Sequence, residues 1–319
     1  MEKTNRLKHF PVSSFSIILG LLGFTIVFQK AEEILNLAGE TSTFLLAASS
    51  IIFVLLSGIY LLKILRFPNE VRAEFAHPIK LSFFPTVSIS LLLFSIALLD
   101  INSSTSYYLW VIGSFIHLLF TIGIMSIWIQ HSKFELEHIN PSWFIPVVGN
   151  LLVPVAGIVH CSDEISWFFF SIGLVFWMAL FTIFFYRIIF HHPLPEKLLP
   201  TFFILIAPPA VGFISYVKLT GVVDPFARVL YYFAIFMSLL LFSQVNIFYR
   251  IKFYLSWWAY SFPISSLAIA SILMYHKTGE PMFESVAYIY ILILCTIIAV
   301  LIIKTLAAVS REEICNEEG

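Results

Sequence analysis

Charge is what this sequence has least of. Asp, Glu, Lys and Arg make up 12% of its 319 residues, about half the share of a soluble globular domain. Together with 60% apolar residues and a mean hydropathy of +0.94, that scarcity excludes a water-soluble fold and leaves an integral membrane protein. Cysteine is scarce as well. Cys161, Cys295 and Cys315 are far apart and form no CxxC pair, which excludes a disulfide framework and a zinc site and leaves them as packing residues. There is no HExxH, no glycine-rich phosphate loop, no GxSxG, and no intramembrane serine with a Lys or Asp partner. The sequence therefore points away from an enzyme and calls for no cofactor, metal or nucleic acid.

Long apolar runs are what it does have. Uncharged stretches of roughly membrane-spanning length fall at 12–29, 42–62, 81–99, 106–130, 142–162, 165–186, 198–217, 229–249, 253–275 and 285–303. The sequence reads as one transmembrane domain: residues 1–11 an N-terminus, 12–303 ten all-α spans in a lipid bilayer, 304–319 a tail. Lys3, Arg6 and Lys8 imitate a secretory signal, but the apolar run after them is long and lacks a convincing cleavage site, so it is expected to stay as the first helix. Glu312, Glu313, Glu317 and Glu318 read as a solvated tail. Alternate loops carry 14 and four basic residues, which by the positive-inside rule places both termini in the cytoplasm.

Prolines divide the spans into two kinds. Pro85, Pro146, Pro154, Pro208, Pro209 and Pro263 fall in the third, fifth, seventh and ninth spans, Pro11 stands at the mouth of the first, and even spans have none. An interior proline frees a carbonyl that lipid cannot satisfy, so odd helices are expected to be kinked and buried or to line a water-filled path. Five tandem hairpins then form a ring, odd helices inside and even helices outside. Prolines that kink a helix merely for packing remain the alternative.

No carboxylate or basic residue lies within these spans, so the charged relay of a proton-coupled carrier is missing. The polar groups at depth are His117, Asn150, Gln244, Asn246 and the serines of odd spans, Ser13, Ser14, Ser16, Ser88, Ser90, Ser265 and Ser266. His117 reads first as a hydrogen-bonding residue between helices. An uncharged lumen binds ions weakly, which favours conduction over tight carriage. Arg66, Arg72, Arg250 and Lys252 are candidates for attracting anions at the cytoplasmic mouth, although topology alone explains them equally well.

Four motifs occur in order: Glu74-Phe75-Ala76-His77-Pro78, Asn140-Pro141-Ser142-Trp143-Phe144-Ile145-Pro146-Val147-Val148, Ile206-Ala207-Pro208-Pro209-Ala210-Val211-Gly212, and Trp257-Trp258-Ala259-Tyr260-Ser261-Phe262-Pro263. Through them the chain resembles the TehA proteins of bacteria and the slow-type anion channels of plants, in the tellurite-resistance/dicarboxylate transporter group. The resemblance implies a homotrimer with one pore per subunit in a bacterial inner membrane. It also implies passive conduction of small anions such as chloride and nitrate, and a gate at Phe262, aimed at the axis by a bend at Pro263. Ser13, Phe15, Pro85, Ser88, Pro146, Pro154, Pro208, Pro209, Pro263 and Ser266 are the expected lining and kink residues. Ser13 stands where the family often has glycine and would narrow the lumen. With about eleven residues before the first span, kinase control of the plant type is not expected. A carrier of dicarboxylates or tellurite-type oxyanions is the alternative, and a scaffold or sensor with a non-conducting pore a third reading.

Overall fold

The computed structural model describes residues 6–131 and 134–314. Lys3, Lys133, Cys315, Glu317 and Glu318 lie outside the described residues. Ten helical spans are long and apolar enough to cross a membrane: α1 (Val12–Ile34), α2 (Thr41–Arg66), α3 (Lys80–Leu98), α4 (Ser103–Gln130), α5 (Pro141–His160), α6 (Asp163–Phe190), α7 (Glu196–Thr220), α8 (Pro225–Ser243), α9 (Leu255–Thr278) and α10 (Pro281–Ser310). The longest has 30 residues, about 45 Å of helix against a hydrocarbon core of about 30 Å. The helices therefore overshoot the charge-free runs, and Lys30, Arg187, Lys218 and Lys304 sit on their ends. The eighth span is shorter than expected, stopping at Ser243 before a separate turn at Val245–Tyr249.

Odd and even spans differ in burial. Between 67% and 89% of the apolar window is buried in each odd span, against 11% to 39% in each even one. Every odd span packs on the even span after it, and α1, α3, α5, α7 and α9 pack on one another in that order, with α9 returning to α1. The result is a closed ring of five inner helices with five outer ones presenting Leu, Ile and Phe outward. The first and last described segments meet at one face, where Arg6 Nη1 lies 3.3 Å from Glu312 Oε1.

The inner helices are built differently from the outer ones. Each begins with tighter 3-10 turns, at Val12–Phe15, Lys80–Phe83, Pro141–Phe144, Glu196–Ile206 and Leu255–Tyr260, and α5 has a second 3-10 stretch at Gly149–Leu152. The irregularity expected of the odd helices takes this form, tighter 3-10 turns joined to α-helix. Pro85 caps the α-helical part of α3, Pro146 and Pro154 open those of α5, Pro208 and Pro209 that of α7, and Pro263 that of α9. Pro11 likewise precedes the first 3-10 turn. At a helix start the missing N–H has no partner to lose. These prolines mark where 3-10 turns give way to α-helix, and they interrupt no α-helical interior.

Polar side chains satisfy carbonyls within or at the ends of these tighter turns, each reaching back three residues. Ser16 donates to Ser13 O at 2.6 Å, Thr86 to Phe83 O at 2.5 Å, Asn150 Nδ2 to Val147 O at 2.9 Å, Thr201 to Leu198 O at 2.5 Å and Ser261 to Trp258 O at 2.6 Å. At least one such bond occurs in every inner span.

Candidate functional site: an axial cavity

At the centre of the ring lies a cavity of about 60 Å³ to which all five inner spans contribute, room for several water molecules. Ser16 and Leu19 come from α1, Phe83, Thr86 and Ile89 from α3, and Phe144, Val148, Gly149 and Leu152 from α5; Ile204, Ala207 and Val211 come from α7, and Trp258, Ala259, Phe262 and Pro263 from α9. No lining residue is charged. The only hydroxyls, those of Ser16 and Thr86, already donate to Ser13 O and Phe83 O. Four aromatic residues share the wall. The Trp258 indole is tied by Nε1 to Thr305 Oγ1 at 3.0 Å and Phe144 packs edge-on to Phe184; Phe262 makes no ring contact among the described residues.

The ninth helix reaches this depth by an unexpected route. Six 3-10 residues, at about 2.0 Å rise each, precede the α-helix that starts at Ser261. Phe262 thus lies roughly 15 Å along the span from Tyr254 instead of roughly 12 Å for α-helix throughout. Either value is close to the middle of a 30 Å core.

A buried charge cluster pins the start of α1 beneath the cavity. Lys63 Nζ, at the end of α2, donates to Glu74 Oε2 at 2.8 Å and to Phe10 O at 2.7 Å. Glu74 also accepts from Val12 N at 2.7 Å and from the Tyr60 hydroxyl at 3.1 Å. Both charged side chains are almost fully buried. Glu74 thereby satisfies an otherwise unpartnered N–H at the start of an inner helix.

A scan against protein-family models matches residues 9–306 to the SLAC1 family, described as voltage-dependent anion channel. The chain belongs to the SLAC1 family. Among curated SLAC1-like proteins it is 30% identical to the S-type anion channel SLAH3 of Arabidopsis thaliana over 307 residues, covering 94% of this chain and 48% of that one. It is 27% identical to an uncharacterized transporter of Methanocaldococcus jannaschii, covering 89% of each chain. It is 26% identical to a tellurite resistance protein TehA homolog of Haemophilus influenzae, covering 85% of this chain and 84% of that one. The chain spans about half the length of the plant relatives it matches first.

Within this SLAC1-family ring the expected residues separate. Phe262 and Pro263 line the cavity. Phe15 does not; its ring packs edge-on against Phe53 and Tyr60 of α2, and Ser16 and Leu19 face the cavity in its place. The reason is phase. A 3-10 residue turns 120° and an α residue 100°, so four 3-10 residues displace the facing by about 80°. Ser13 is half-buried, and its carbonyl accepts from Ser16. Ser88 and Ser266 donate to Pro85 O at 2.8 Å and to Phe262 O at 2.9 Å and are absent from the wall, as are Pro85, Pro146, Pro154, Pro208 and Pro209.

Arg66, Arg72, Arg250 and Lys252 are all exposed. At the far ends of α1, α7 and α9, three other cations draw together. Lys218 lies within electrostatic reach of Lys30 and Lys277, with Glu33 and Asp100 alongside. Lys30 pairs with Glu33 at 2.5 Å and Lys277 donates to Gly221 O at 2.9 Å, whereas Lys218 has no partner among the described residues. Loop-by-loop charge counting treats these lysines as topology signals and gives no hint that they share one end of the ring.

Proposed function

We propose that this protein is a passive, gated pathway for small inorganic anions such as chloride and nitrate, with the ring of Phe262 closing it. The observation that carries this reading is the axial cavity, assembled from all five inner spans, free of charge, and walled by Phe262. Such a wall offers no tight binding site, and a small apolar constriction holds ions back by dewetting. Phe262 is suited to the gate because it lies in the first turn of an α-helix beside Pro263 and packs on no other ring, so a rotamer change breaks no aromatic contact. The names of the plant relatives, S-type anion channels, agree with the anion as cargo. Lys218, with Lys30 and Lys277, would draw anions to one mouth, and Arg66, Arg72, Arg250 and Lys252 to the other. The protein would act as a homotrimer with one pore per subunit, in the plasma membrane and with both termini cytoplasmic.

The relatives named as a transporter and as a tellurite resistance protein favour a second reading, a carrier. The two are separated in proteoliposomes. A channel passes chloride with a rate that rises linearly with gradient, whereas a carrier saturates and shows counterflow of labelled anion against unlabelled.

A further inference from the structure

His117 is fully buried on α4, directly behind the cavity wall. Its Nδ1 lies 2.9 Å from Ser88 Oγ. Ser88 Oγ also lies 2.8 Å from Pro85 O; with its one proton given to that carbonyl, the consistent tautomer has Nδ1 carry hydrogen and donate to Ser88. Nε2 is then a bare acceptor, and by distance and angle it has no hydrogen-bond partner among the described residues. A buried basic nitrogen without a partner is uncommon in a well-packed interior.

The free edge of this ring faces the cavity. A methyl group placed on Gly149 would overlap His117 Cε1 and Nε2, so the imidazole rests on the bare Cα of that glycine. Gly149 is itself a lining residue, and one glycine separates Nε2 from the cavity. From α3 the ring meets Ser88, and Ile89 shares the Gly149 contact; from α5 it meets Gly149 and the Pro146 carbonyl, an acceptor for a ring N–H to which Thr121 and Asn150 also donate. On α4 its neighbour one turn on is Thr121, whose hydroxyl donates to His117 O at 2.9 Å. No charged side chain acts on it from any of these elements. A proton on Nε2 therefore lacks a counter-charge within the protein, and an anion in the cavity supplies one.

We propose that His117 and the axial cavity form a single proton-linked anion site, in which a small monovalent anion in the cavity and a proton on Nε2 bind together. This rests on the cavity being an anion path. By linkage, each ligand raises the affinity for the other by the same factor. The proton comes from bulk water, and occupied cavity plus charged imidazole is electrically neutral.

The test uses the full-length protein in lipid nanodiscs, weakly buffered near neutrality. Sodium bromide causes net proton uptake in the wild type, sodium gluconate, too large for the cavity, does not, and His117→Asn abolishes the bromide effect. Asn retains a donor toward Ser88 and lacks Nε2. Absence of uptake in the wild type, or equal uptake in His117→Asn, overturns the proposal. Should the variant fail to fold, nitrogen-15 spectra of the wild type decide: His117 gains a proton on bromide addition, or it does not. In a second arm, chloride flux through Phe262→Ala rises about fivefold or more on acidification, and the double variant with His117→Asn is flat. If Phe262→Ala passes no anion at any pH, the channel reading fails, while bromide-linked proton uptake still decides the coupling.

Discussion

Gly23 of α1 and Phe262 of α9 meet where these two neighbouring helices close the inner ring, so closely that a methyl on the glycine would come within 3.4 Å of the Phe262 Cδ2 atom. The same methyl would lie 2.9 Å from Ser265 Cβ. One turn earlier Gly20 meets Ser261 and Trp258 in the same way. Small residues on both helices let α1 and α9 approach closely, and that approach sets where the Phe262 ring can rest.

Gly23→Ala should force the two helices apart, at a cost of about 1–3 kcal/mol. A fall in thermal unfolding temperature of the detergent-solubilised protein is expected, with no fall for Gly58→Ala, which lies within a helix and whose added methyl meets nothing within 4 Å. Equal effects would show that the α1–α9 approach is not tightly packed.

The alternation of inner and outer helices was legible from prolines, because an inner helix tolerates irregular backbone that a lipid-facing one cannot. The kind of irregularity was not legible. In a membrane both faces of an inner helix are apolar, so no polar stripe reveals whether residues turn by 100° or 120°. That ambiguity put Phe15 among the expected lining residues and left Ser16, noted only as a polar group at depth, out of them. The serines looked like lumen polarity, but Ser88, Ser265 and Ser266 spend their hydroxyls on carbonyls of their own helices, a local need invisible in composition. Lys63 and Glu74 looked like loop charges, because nothing in their spacing announces that a connecting helix at Pro68–Ala76 folds one back on the other.

Glu74→Gln leaves the Lys63 ammonium buried without its counter-charge. Loss of about 3–5 kcal/mol is expected, seen as poor recovery of folded protein, and Lys63→Met combined with Glu74→Gln should recover much of it. If the double variant is no better than Glu74→Gln alone, the ion pair is not what holds the start of α1.

Pro263→Ala discriminates between a helix-starting and a helix-kinking proline. Because Pro263 is the third residue of its α-helix, its replacement restores at most one hydrogen bond, to a carbonyl of the preceding 3-10 turn. The change in stability should stay within about 1 kcal/mol. A large stabilisation would instead indicate a strained interior kink.

Asp224 provides a pH-dependent test outside the membrane. The Tyr216 hydroxyl donates to its Oδ2 at 2.6 Å, and Ala227 N donates to Oδ1 at 2.9 Å at the start of α8. These bonds hold the carboxyl below its ordinary range, the Tyr216 bond foremost. A carboxylate whose folded pKa is lowered contributes stability above its unfolded pKa and loses it as pH falls through the folded value. The gap in unfolding temperature between wild type and Asp224→Ala should therefore be open at neutral pH and narrow on acidification below about pH 4. A gap independent of pH would place the effect elsewhere.

The most direct measurement is anion current under a chloride gradient in planar bilayers, wild type beside Phe262→Ala. With the ring of Phe262 closing a charge-free cavity, the wild type should pass little current and the alanine variant at least about tenfold more, as expected when an apolar constriction is removed. Equal currents in the two proteins would contradict Phe262 as the gate.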